Sequence, residues 1–248
     1  MPSTTTDPRA IDTGGDRFRH DAMFYGGEAD FLAKTVPFIL EGVDRGEPVL
    51  VVVSADRIAR LRGALDGRAD HVRFADMAAV GQNPARILPA WRAFVSEQGT
   101  SSRPFRGIGE PIWAGRTRDE LDECERHEAL LNVAFDGAPA WWLMCPYDTT
   151  SLPAGVLEEA GRNHPFVVHG GVRRRSPSYQ GSDVAARPFD RLLPSAPASA
   201  ATFRFESRSE GLRRLRAVVA DRARASGLDG PKVDDLVLAV SEIATNSV

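Results

Sequence analysis

Glu242 and Asn246 have the residue types and spacing that phosphoryl-transfer chemistry uses. They lie four apart in the string DLVLAVSEIATNSV, residues 235–248. On a helix that spacing places both on one face, apart from the stripe of Leu236, Val240 and Ile243. A carboxylate beside an amide can hold a divalent cation and orient a nucleophile. The same spacing also fits an ordinary solvated helix face. A second group, Tyr25, Glu110, Tyr147 and Asp148, is expected at strand ends, where open α/β sheets place their ligand crevice. They are the ligand-sensing candidates, bordering one pocket. Turn capping is the plainer role for Asp148, which precedes Thr149, Thr150 and Ser151.

Elements that would position these residues can be read along the chain. Residues 1–16 read as a disordered lead-in, and 17–171 as one domain. Asp21–Tyr25 is a short strand, followed by a helix over Asp30–Asp44. The run PVLVVVS (48–54) is unbroken and β-branched, as in a strand buried on both faces. Asp56 is expected to cap a helix through Leu65. Further strands are expected at 72–74, 106–110, 140–145 and 166–169, with helices at 84–98, 117–135 and 153–163. Thr117 and Glu120 have capping-box spacing. About five or six strands alternating with helices imply a doubly wound, mostly parallel sheet.

Composition changes after Gly170. Residues 172–201 carry an Arg run (Arg173, Arg174, Arg175), several prolines and the string PSAPASAA, which is a linker composition. The Arg run reads as a solvated stretch. A second unit, 202–248, reads as a strand at 202–206 and two amphipathic helices. Leu212, Leu215, Val218 and Val219 face inward on the first helix. Val233, Leu236, Val237, Val240 and Ile243 do so on the second. One strand and two helices cannot enclose a core, so the chain is expected to be truncated within this unit.

Several classes are disfavoured. The chain has 248 residues, 42% of them apolar, which suits a globular protein. Its formal charge of −3 creates no field that draws it to nucleic acid. The longest apolar runs are too short to cross a bilayer. The polar first sixteen residues hold no signal-peptide core. Two cysteines, Cys124 and Cys145, fit free thiols in a reducing cytoplasm. There is no HExxH motif and no clustered His/Cys spacing, so no transition-metal site is expected. His164 reads as fixing a loop. No G-x-S-x-G elbow occurs. Gly26 and Gly27 sit where a phosphate loop would sit, and Lys34-Thr35 is the right dipeptide. Glu28 and Ala33 stand at the glycine positions, however. Lys34 therefore reads as a surface helix residue.

Two resemblances give these features a context. The string SEIATNSV is similar to the N-box of the GHKL ATPase superfamily, specifically the bacterial anti-sigma-factor serine kinases. That resemblance implies Glu242 as general base and Asn246 as the Mg²⁺ ligand for Mg-ATP. It also implies an incomplete α+β domain, since the superfamily's adenine box and lid come later. HDAMFY (20–25), RGEPVLVVVS, GEPIW, CPYD and NHPFV resemble the MEDS sensory domain over about residues 17–180. That resemblance implies a degenerate RecA-like fold that senses a small ligand such as a hydrocarbon derivative. Together they imply a cytoplasmic, signal-sensing anti-sigma regulator. Its partners would be a sigma factor and an anti-anti-sigma protein, with no direct nucleic acid and no membrane. Kinase activity and Mg-ATP binding are expected of the full-length protein and not of these 248 residues. The alternative is a non-enzymatic sensor or adaptor with a degenerate ATPase remnant. A histidine kinase is disfavoured, because the helix over 209–225 holds no histidine.

Overall fold

A computed structural model describes residues 18–98, 103–137, 139–181, 195–200, 202–204 and 209–246. The chain divides into two compact units, residues 1–191 and 192–248. The first unit is α/β. Its strands are β1 (Arg19–Tyr25), β2 (Val49–Val53), β3 (Val72–Asp76), β4 (Phe105–Gly109), β5 (Trp141–Asp148), β6 (Phe166–His169) and β7 (Val172–Arg175). They form one sheet in the order β3-β2-β4-β5-β1-β6-β7. Every pairing is parallel except β6 with β7. Its helices are α1 (Gly27–Asp44), α2 (Ala55–Leu65), the short α3 (Met77–Val80), α4 (Ile87–Gln98), α5 (Arg118–Ala134) and α6 (Ala154–Asn163).

The sheet is covered on both faces, as the unbroken apolar strands require. Val49, Val51 and Val53 of β2 pack with Phe31, Phe38 and Ile39 of α1 and Leu61 of α2. Leu50 and Val52 face the other way, toward Trp91 of α4, Leu131 of α5 and Val156 of α6. The paired tryptophans of β5 split in the same manner. Trp141 joins the second layer, and Trp142 stands edge-on to Phe38 at 4.9 Å. Glycines on β4 let α4 come close. A Cβ at Gly107 or Gly109 would lie 2.7 Å from the Trp91 ring, so the indole lies directly on bare backbone.

Local signals set several boundaries. The Thr117–Glu120 capping box is present at the start of α5. Ser54, not Asp56, caps α2: its side chain accepts from the Arg57 N–H. The segment expected as one helix from Pro84 begins with a 3₁₀ turn, Pro84–Arg86, before α4.

The Arg run is not a linker. Val172–Arg175 is strand β7, paired antiparallel with β6. Arg173 donates to Asp21 through Nε at 2.5 Å and Nη2 at 3.1 Å, and it covers the Phe166 ring at 3.5 Å. Asp21 is fully buried, and a buried carboxylate needs such a partner. Residues 195–200 carry no helix or strand, while 182–194, within the expected linker, lie outside the described residues. So do the lead-in residues 1–16.

In the second unit, α7 (Ser209–Ala225) and α8 (Gly230–Asn246) pack on each other. Residues 202–204 carry no strand, and 205–206 lie outside the described residues. Arg216 Nε donates to Ser241 Oγ at 3.0 Å across the pair. Val233 and Ala244 are buried, whereas Val218 of α7 and Leu236 and Ile243 of α8, expected inward, are exposed. Among the described residues α7 and α8 cover only a narrow stripe of each other, and these three side chains fall outside it. No helix among the described residues is long and apolar enough to cross a membrane.

Candidate functional site

The chain turns off the sheet in opposite directions after two adjacent strands. Helix α1, following β1, covers one face, and α6, following β5, covers the other. That is a topological switch point, where open α/β sheets form their crevice. Tyr25 and Asp148 are register partners at the ends of β1 and β5. Glu110 directly follows β4. The structure brings these three together. Tyr25 Oη donates to Glu110 Oε1 at 2.7 Å. Arg57, from α2, forms an ion pair with Glu110, donates to Glu28 Oε2 at 3.4 Å and lies over the Tyr25 and Phe31 rings.

Tyr147, the fourth candidate, is not part of this group. Strand alternation points it to the opposite face, against Phe24 at 6.0 Å and His164 at 5.7 Å. Its neighbour Asp148 lies with the Tyr25 group and also caps the following turn. Its Oδ1 accepts from Thr150 N and Oγ1 at 2.9 and 2.7 Å, as turn capping requires. Burial alone would raise its pKa, yet these bonds and the Gly27 N–H hold it below its ordinary value.

Burial pushes the Glu110 carboxyl above its ordinary pKa, while Arg57 and the Tyr25 hydroxyl pull the other way. Two donors hold it, so the carboxylate is the form this geometry accommodates. Burial and then Glu110 push the Tyr25 phenol up, leaving it a fixed hydrogen-bond donor.

Phosphate binding is poorly served here. Gly27, at φ +77°, opens α1, but the loop amide of Gly26 donates to Asp30 Oδ2 at 2.8 Å. Lys34 is half-buried, contrary to the expected surface position. It donates to Phe24 O at 2.8 Å and Asp30 Oδ2 at 2.6 Å. The lysine thus pins the turn, and a carboxylate occupies the amide that an anion would need. Glu28, Asp30, Glu110 and Asp148 outnumber Lys34, Arg57 and Arg60 around this end of the sheet. Such a site favours an uncharged or cationic ligand over an anion.

A second cluster lies on the opposite face and was not expected from sequence spacing. His20 of β1, Glu128 of α5, Cys145 of β5 and His164, just after α6, place one ligand atom each within 4.8 Å of one another. All four are buried, and these residues could hold a metal ion. Burial, then His164, holds the His20 imidazole below its ordinary pKa. Burial raises Glu128, but bonding to His164 and His20 outweighs it and leaves that carboxyl well below the usual range. His20 lies more than 100 residues before the other three, and the spacing of Glu128, Cys145 and His164 matches no metal motif. The one legible signal was polar residues at core-facing positions: His20 and Cys145 alternate with residues of the other layer.

Glu242 and Asn246 lie on α8, one turn apart and both exposed. They belong to the second unit.

The model of the MEDS family, the methanogen/methylotroph, DcmR sensory domain, matches residues 19–165, well over half of the chain. No curated protein matches it. The matched segment spans strands β1 to β5, both strand-end turns and the buried His/Glu/Cys cluster. The chain therefore belongs to the MEDS family, and its first unit carries that family's sensory domain.

Proposed function

We propose that this protein is a cytoplasmic signal-sensing regulator whose ligand site is the strand-end group of the first unit. The observation that carries the reading is the meeting of Tyr25, Glu110 and Arg57 at the switch point, on a matched sensory domain. A buried carboxylate beside aromatic rings suits a small, weakly polar molecule that donates a hydrogen bond, such as a short hydrocarbon derivative. Asp30 on the loop amide argues against a nucleotide there. The output we propose is an anti-sigma serine kinase unit beginning at residue 202. It would act on an anti-sigma-factor antagonist and bind a sigma factor. Glu242 would be its base and Asn246 its Mg-ATP ligand, in a chain that carries the rest of that unit. The exposed Leu236, Leu238 and Ile243 of α8 favour a second reading, in which this unit docks partners without catalysis.

Saturation-transfer NMR with methanol as the probe tests the sensing half. Transfer to methanol is expected with the wild-type chain. Glu110→Gln should weaken it about 10- to 100-fold, the equivalent of one hydrogen bond to a charged group. Equal transfer in the variant would place the binding elsewhere.

A further inference from the structure

Four side chains from four separate segments converge in the layer between the sheet and α5 and α6. His20 Nε2 lies 3.0 Å from Glu128 Oε2 and 3.4 Å from Cys145 Sγ. His164 Nε2 lies 3.3 Å from the same Glu128 oxygen. The hydrogen bonds around the cluster fix what each ring nitrogen presents. Asn132 Nδ2 donates to the Asn163 carbonyl at 2.7 Å, which orients that amide. Its Oδ1 then faces His20 Nδ1 at 3.1 Å, so Nδ1 must carry the proton. His164 Nδ1 lies 2.8 Å from the Ala160 carbonyl and must donate as well. In the neutral imidazoles both Nε2 atoms therefore present lone pairs, and both point at a carboxylate oxygen.

That arrangement is self-repelling unless something positive lies between. His164 Nε2 and Glu128 Oε1 are buried without a hydrogen-bond partner. Protonating both imidazoles would bury two cations against one carboxylate, an expensive excess charge. Protonating one leaves the other lone pair against Glu128. A divalent ion resolves every contact at once. Two neutral imidazoles, a carboxylate and a thiolate around it give a net charge of zero.

We propose that His20 Nε2, His164 Nε2, Glu128 and Cys145 Sγ form a closed, four-coordinate site for a divalent transition-metal ion, with Zn²⁺ the best match. Tetrahedral bonds of about 2.0–2.3 Å set ligand atoms roughly 3.3–3.7 Å apart. Three of the spacings here, 3.0, 3.3 and 3.4 Å, are close to that, and all four atoms lie within 4.8 Å of one another, so small side-chain shifts close the site. The outer contacts fit too. Ligating histidines characteristically give their other N–H to a carbonyl or similar acceptor, as Asn132 Oδ1 and the Ala160 carbonyl provide. Binding exchanges the thiol proton for the metal: the S–H bond breaks, the S–metal bond forms and the proton leaves to solvent. With all four ligand residues buried, the ion ties β1, β5, α5 and the end of α6 together. The cluster lies on the face opposite the Tyr25–Glu110 group, so this inference does not depend on that ligand site.

The test is a titration of the reduced, full chain with Co²⁺ and Zn²⁺. One equivalent of Co²⁺ should give tetrahedral d–d bands with a thiolate-to-cobalt charge-transfer band, and Zn²⁺ should displace it. Cys145→Ser should abolish the charge-transfer band, and Cys124→Ser should keep it, since Cys124 faces the Pro111 carbonyl instead. Asn132→Ala, which leaves all four ligands in place, should weaken the metal about 10- to 100-fold. A folded wild-type chain that shows no thiolate–cobalt band would overturn the assignment. So would a band that survives Cys145→Ser.

Discussion

Trp141→Ala is expected to remove about 3–5 kcal/mol of stability from the first unit, the usual cost of emptying a large buried aromatic site. Trp141 is almost wholly buried. Its ring meets Phe18 at 4.8 Å, Phe135 at 5.0 Å, Phe105 at 5.6 Å and Trp91 at 5.8 Å. Trp91 is itself held against Gly107 and Gly109, so the layer has little room to collapse into the void. Phe18 also stacks on His20 at 5.7 Å, which makes this aromatic group a wall of the buried His/Glu/Cys cluster. Urea denaturation followed by fluorescence measures the loss. A change below about 1 kcal/mol would mean that the aromatic layer is not the packed core described here.

Glu242→Ala carries the largest expected effect on activity. In a chain that includes the nucleotide-binding boxes following the N-box, it should lower serine phosphorylation of the antagonist roughly 10²–10⁴-fold, as loss of a general base does. Partner binding should be nearly unchanged, because a general base at Glu242 would act only on the nucleophile. Asn246→Ala should act differently and weaken Mg-ATP binding, since it would remove the proposed cation ligand. Turnover and nucleotide affinity measured on both variants separate the roles. Full activity in Glu242→Ala would withdraw Glu242 as the base, and a chain with no phosphorylation activity before mutation would leave the docking reading.

Much of the first unit was legible because its signals are local. The runs PVLVVVS and AWWLMC are apolar on successive residues, which only a sheet covered on both faces accommodates. Thr117 and Glu120 announced the start of α5 three residues apart. Tyr25, Glu110 and Asp148 were readable as strand-end residues, and the fold brings them together. Tyr147 was not separable from Asp148 by position alone. The extra residue flips a side chain to the other face of the sheet.

What stayed hidden depended on tertiary partners that local sequence does not name. Arg173 looked like part of a solvated run because Asp21, which it neutralises, lies 152 residues earlier. Lys34 looked like a surface residue because its acceptor is a backbone carbonyl, that of Phe24. Leu236 and Ile243 followed helical periodicity, but periodicity does not say how wide a stripe one neighbouring helix covers. His20, Glu128, Cys145 and His164 form no motif in sequence. Only the alternation of β1 and β5, with the turn at the end of α6, brings them within reach of one another.

Amide chemical-shift mapping of the full chain tests the sensing site most directly, with methanol and Mg-ATP added separately. The site described here predicts that methanol shifts the amides of residues 25–30, Glu110 and residues 148–150, while Mg-ATP leaves the Gly26–Lys34 turn unmoved. Asp30 already occupies the Gly26 amide, and the surrounding carboxylates repel phosphate. Shifts of that turn with Mg-ATP, and none with methanol, would contradict the account and make the strand ends a nucleotide site.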